Sequence, residues 1–119
     1  MKFYYNDKLL RTSKTHVYTH ALLDHNGNVI TCSATREGCK KELSRRIREI
    51  ERRLTNHENA MKAHAAGKSQ VRWLDGRTSF YTNLNDFKNL DGFAKYIEAA
   101  KASIRIMNQE WKIVELEAR

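Results

Sequence analysis

Apolar residues recur along this chain in two periods, and the helical one governs the longest stretch. From Arg36 to about Gly67, the apolar positions are Cys39, Leu43, Ile47, Ile50, Leu54 and Met61, with His57 filling the missing turn. Spacings of three, four and seven predict one narrow apolar stripe on an otherwise solvated helix. At a rise of about 1.5 Å per residue, some thirty residues make a rod of roughly 45 Å. A compact domain of this chain's length has a radius of gyration of only about 13–14 Å. Such a helix outruns what its own subunit covers, so a partner helix is expected, part of it from a second copy of the chain.

The rest of the chain alternates with a period of two or returns to the helical stripe. Residues 2–6, KFYYN, read as a short strand from their aromatic content, and 7–15, DKLLRTSKT, as a polar connection. In 16–24, Val17, Thr19, Ala21 and Leu23 alternate with His16, Tyr18, His20 and Leu22, the pattern of a strand. Asn26-Gly27 is a strong two-residue hairpin signal, and VITCSA returns as the paired strand. Thr35 or Ser33 caps the long helix, without a capping box because Gly38 stands three after Thr35. Beyond the break at Gly67, VRWLDGRTSFYT predicts a second hairpin around Asp75-Gly76, with Val71 and Trp73 on one arm and Phe80 or Tyr81 on the other. Phe87, Leu90, Phe93, Ala94, Ile97, Ala100, Ile104 and Met107 then mark a second helix from Asn83 or Asn85 to Asn108. Its first turn is set apart at Asp91-Gly92. WKIVELEAR closes the chain as one half-buried strand. The expected fold is α+β in a single domain, 1–119: an antiparallel sheet with two long helices on one side, dimerising through the helices.

Charge narrows the partners. A net +8 and a pI near 9.7 point to nucleic acid, nucleotides or an acidic membrane face. Part of that charge is balanced at pair spacings on the long helix: Glu42 with Arg46, Arg45 with Glu49, Glu49 with Arg53. Cys32 and Cys39, seven apart, match no metal-ligand or CxxC spacing and are expected as reduced thiols. No apolar run approaches the length of a membrane span, and Met1 opens directly into a strand, so a cytosolic protein is expected.

Chemistry is sparse. GxSxG, P-loop, GxGxxG and HExxH motifs are all missing, and most carboxylates sit at salt-bridge spacing from arginines, so no enzyme is expected. His16 and His20 share a face of the expected strand, but no third ligand stands near them in sequence; neither metal nor cofactor is expected. Three strands before a helix is the layout of small phage integrase arm-type DNA-binding domains. Those domains need cations on the exposed sheet, and residues 16–33 hold no Lys or Arg. Nucleic acid is therefore not the expected partner, and a small basic DNA-binding protein is the alternative. A pocket for a small anion remains. It needs an aromatic plate for a base, amides for its edge and arginines for phosphate. Residues 77–89 supply Arg77, Phe80, Tyr81, Asn83, Asn85 and Asn89, while Arg53 and Arg105 flank the two helical stripes.

The opening KFYYNDKLLRTSKTHVYTHALL, the CSATREG junction into the long basic helix, and the closing VELEAR resemble the phage-encoded Thoeris anti-defence sponges of the first type. That resemblance implies a protein of the infected bacterium's cytoplasm that binds cyclic ADP-ribose isomers made by TIR-domain immune enzymes. Such a protein holds the messenger without cleaving it. Family members place the pocket at a homodimer interface, and some form hexamers of three dimers that also hold cyclic trinucleotides at a separate site. Carried onto this chain, the resemblance puts the adenine-stacking aromatic at Phe80 and the reading amide at Asn89. The phosphate-facing arginines fall at Arg53, with Arg52 as its rival, and at Arg105. Arg11 and Thr12 are weaker phosphate candidates, and Asn26 and Gly27 of the HNGN turn are the candidates for the second site.

Overall fold

The computed structural model describes residues 1–65, 70–72, 78–80 and 90–119. The fold is α+β, and the chain divides into two compact units. One consists of Met1–Ile47 with Arg105–Arg119, the other of Arg48–Ile104.

The first unit holds two antiparallel three-stranded sheets where the hydropathy pattern predicts one. β1 (Lys2–Tyr5) turns directly into β2 (Lys8–Thr12). The connection is two residues long, Asn6 and Asp7, both at positive φ (49° and 62°). That geometry matches the twist of a hairpin, and Asn and Asp are the non-glycine residues that adopt it most readily. The polar connection expected over 7–15 is thus largely a strand, with Tyr5 opposite Lys8 and Lys2 opposite Thr12.

The closing segment, expected as one strand, is two. β7 (Lys112–Glu115) pairs with β3 (His20–Leu23), and β8 (Glu117–Ala118) pairs with β1. Between them Leu116 donates its N–H to the Thr19 carbonyl at 2.8 Å. One extended segment therefore serves both sheets, whose orders are β2-β1-β8 and β4-β3-β7, with β4 spanning Val29–Ser33. β3 is also shorter than the alternation in 16–24 predicts. The Ser13 hydroxyl accepts the N–H groups of Thr15 and His16, holding that stretch in a turn.

Ala21, Leu23, Cys32 and Val114 form the centre of this unit, with Tyr5, Leu10, Tyr18, Val29 and Leu116 packed against them. Leu22 points the opposite way along β3 and is equally buried, so both faces of the central strand are covered. The hairpin β3–β4 closes on three loop residues rather than two. Asp24 and Asn28 pair across it, Gly27 takes φ 82°, and its N–H reaches the Asp24 carbonyl at 3.1 Å. That is a turn followed by a left-handed glycine, in which Asn26-Gly27 sits one position later than a two-residue turn requires.

α1 runs Arg36–Ala65, thirty residues, close to the expected span. Thr35 is its cap: the hydroxyl accepts the Gly38 N–H at 3.0 Å, and Ser33 Oγ accepts the Thr35 N–H at 3.2 Å. In the second unit, β5 (Gln70–Arg72) and β6 (Thr78–Phe80) form the expected hairpin, with Val71 opposite Ser79. Its Asp75-Gly76 turn lies outside the described residues. α2 runs Leu90–Gln109 and is helical through Asp91-Gly92; the first turn expected before it lies outside the described residues. The starts proposed at Asn83 or Asn85 lie outside the described residues. Among the described residues no helix is long and apolar enough to cross a membrane.

Candidate functional site

The arginines of α1 separate into two groups once their partners are known. Glu42 takes Arg45 at 2.6 Å and Arg46 at 2.8 Å, and these contacts hold its carboxyl at about 2, Arg45 contributing most. Arg52 and Arg53 are exposed, and no ion pair of theirs is seen among the described residues. Arg105 on α2 is likewise exposed and without an ion pair among the described residues. Unneutralised guanidinium groups are what an incoming phosphate requires.

One turn beyond Arg53, His57 occupies the gap in the apolar stripe by stacking on Tyr96 of α2. The ring centroids are 4.0 Å apart and the planes 19° from parallel. His57 Nδ1 lies 2.7 Å from the Arg53 carbonyl, which can only accept, so this nitrogen carries the proton. Ala60 and Ala100 are buried in the same unit. Tyr96 was missed by the sequence pattern. Its signal is the spacing Tyr96, Ala100, Met107, which falls on one helical face.

The remaining candidates distribute as follows. Phe80 ends β6 opposite Gln70, in the same unit as Arg52 and Arg53. Asn89 lies outside the described residues, as do Arg77, Tyr81, Asn83 and Asn85. Arg105 belongs to the first unit. Arg11 and Thr12 are also in the first unit, exposed on β2, and the Arg11 guanidinium lies 5.6 Å from the centre of the Tyr18 ring. Tyr18 in turn meets Phe3 edge-on and His16 face-on, at 5.4 and 5.8 Å. In the HNGN turn, the backbone N–H groups of Asn26 and Asn28 are held by the Asp24 carboxylate and that of Gly27 by its carbonyl. The Asn28 and Asn26 bonds hold the Asp24 pKa below its ordinary value. These backbone donors are therefore already spent, and the Asn28 side chain is engaged by Asp24 as well.

Both cysteines are free and buried, and burial raises their thiols above the ordinary value, which leaves little thiolate for chemistry. His16 lies outside β3 with its Nδ1 3.0 Å from the Thr15 hydroxyl, so it does not share a strand face with His20. Among the described residues no group of three His, Cys, Asp or Glu side chains could hold a metal ion.

Compared with protein-family models, with curated proteins and with solved structures, the chain has no match in any of the three.

Proposed function

We propose that this chain is a phage anti-defence sponge. It captures a cyclic ADP-ribose isomer of the glycocyclic class made by bacterial TIR proteins and holds it intact in the cytoplasm of the infected cell. The observation that carries the reading is the pair of arginines on α1, Arg52 and Arg53, exposed and lacking any ion pair among the described residues. They share a compact unit with the Phe80 hairpin. The resemblance of the opening, junction and closing segments to the Thoeris sponges supplies the ligand class. In this reading Arg53, or Arg52 in its place, and Arg105 hold the phosphates. Phe80 stacks the adenine, and Asn89 reads its edge. Arg11 and Thr12 give weaker phosphate contacts, and Asn26 and Gly27 mark the turn that would meet a cyclic trinucleotide.

The working unit is a homodimer, with a hexamer of three dimers as the larger assembly. Support comes from α1 itself. Leu43, Ile47, Ile50, Leu54 and Met61 are all only half-buried within one chain, so the stripe has apolar surface left for a second copy.

The test is calorimetric titration with cyclic ADP-ribose isomers, followed by heat release of the ligand. Tight binding with intact ligand recovered supports a sponge. A cleaved product would make the protein an enzyme, and absence of binding would sink the reading. Each charge-assisted bond is worth about 1.5–3 kcal/mol. Arg53→Ala and Arg105→Ala should therefore each weaken capture by roughly ten- to a hundredfold, and Phe80→Ala should also reduce it, with the fold checked by circular dichroism.

A further inference from the structure

β2 lies at an edge of its sheet. The strand order is β2-β1-β8, so β2 pairs on one side only, and among the described residues no hydrogen bond reaches its other side. All of its residues but Leu10 are exposed. Its 5 residues span about 17 Å. Register sorts their side chains between the two faces. Lys8 stands opposite Tyr5 and Arg11 opposite Phe3, whereas Leu9 stands opposite Tyr4. Cross-strand partners share a face, and Tyr4 turns to the face that Phe3 and Tyr5 do not. Lys8 and Arg11 therefore occupy one face of β2, and Leu9, 45% exposed, occupies the other.

The charge along this edge has one sign. Asp7 in the β1–β2 turn and Glu117 on β8 are both held by Arg119. From Lys8 to Leu23 the sequence has no Asp or Glu. Lys8 and Lys14 are exposed with no ion-pair partner among the described residues, and Arg11 meets the Tyr18 ring instead of a carboxylate.

We propose that β2 takes an additional strand: an extended segment of another protein, acidic on one face and apolar on the other. An uncovered edge offers a row of N–H and C=O groups, which a peptide strand matches in both donors and acceptors. A phosphate backbone supplies acceptors alone. The side chains name the character of the strand. Acidic residues meet Lys8 and Arg11, and the alternate residues, on the opposite face, cover Leu9. A second copy of β2 fits poorly. Self-pairing would bring Lys8 and Arg11 of both copies together, with no carboxylate in either strand to meet them. The cations that repel a copy are those that attract an acidic strand. All of these residues belong to the unit formed by Met1–Ile47 and Arg105–Arg119, and none of the observations depends on messenger capture.

The probe is a short fluorescein-labelled peptide of alternating valine and glutamate, titrated with the full chain by fluorescence anisotropy at low salt. Saturable binding is expected, with slowed hydrogen exchange at backbone amides of β2. The same peptide with lysine in place of glutamate should not bind. N-methylation along the glutamate peptide removes its backbone donors and should abolish binding. Lys8→Gln with Lys14→Gln should weaken it by roughly two- to thirtyfold, the worth of two opposite-charge contacts. Lys8→Glu with Lys14→Glu should transfer the preference to the lysine peptide. Arg11 is kept intact because it is also a messenger candidate, and messenger titration of both variants should match the unaltered protein. Equal affinity for the two peptides, or binding that survives N-methylation, would overturn the proposal. So would absence of binding, unchanged exchange in β2, or tighter binding of a single-stranded oligonucleotide of equal charge.

Discussion

Ser33 and Thr35 close the first turn of α1 with two hydroxyls, and Gly38 is the residue that makes room for them. A Cβ on Gly38 would lie 2.0 Å from Ser33 Oγ and 3.0 Å from Ser33 Cβ. In an open helix, Ala in place of Gly is worth about 1 kcal/mol. Here overpacking of about 1–3 kcal/mol opposes it, so Gly38→Ala is expected to lower the melting temperature. Adding Ser33→Ala should restore part of the loss, which thermal denaturation of the single and double variants checks. Glu42 gives a prediction in pH. Its carboxyl sits at about 2 in the folded chain against an ordinary value of 4.5. A depressed folded value stabilises above the unfolded pKa and is lost as pH falls through the folded one. The melting-temperature gap between the native chain and Glu42→Gln should therefore be full at neutral pH. It should shrink between about pH 4.5 and 2.

Within the second unit, α1 and α2 meet through a polar side chain placed in an apolar stripe. The hydropathy period reserves a core position at residue 57, and the chain fills it with a histidine whose flat ring stacks on Tyr96. Aromatic stacking contributes about 0.5–1.5 kcal/mol beyond area burial. A double-mutant cycle of His57→Ala and Tyr96→Ala by urea denaturation is expected to return a coupling in that range. Additive losses would mean that the rings touch without supporting each other. The same reasoning explains why β2 was hidden. Its KLLRT sequence alternates poorly, and all but Leu10 of its five residues are exposed, so its strand character comes from the Asn6-Asp7 turn and from pairing with β1.

For the whole molecule, the half-buried stripe of α1 carries the expectation of a dimer. Leu54→Glu puts a charge into that stripe and should convert a dimeric species to a monomer in light scattering, with helix content retained. A native chain that is already monomeric at micromolar concentration would remove the support that α1 lends to an interface pocket. Messenger capture measured on the same variant tells whether the site needs both copies. Loss of capture together with the dimer is the expected outcome.

Local pattern determined a good deal of this protein by itself. The span of α1, the Val71–Ser79 hairpin, the return strand β4 and the α+β class all follow from periodicity, turn residues and caps, which act over a few neighbouring positions. Of the candidate site, sequence identified exposed arginines and an aromatic hairpin by residue type. Which arginines lack a counter-ion was decided by rotamers, because Glu42 reaches both Arg45 and Arg46 although spacing offers several other pairings. The division into two sheets was also a tertiary matter. Residues 112–118 alternate like one strand, and their split at Leu116 depends on β3 and β1, contributed by the distant N-terminal part of the chain. Hydropathy reports which face a residue turns to the core, but the identity of a strand's neighbour is set by contacts that sequence separation hides.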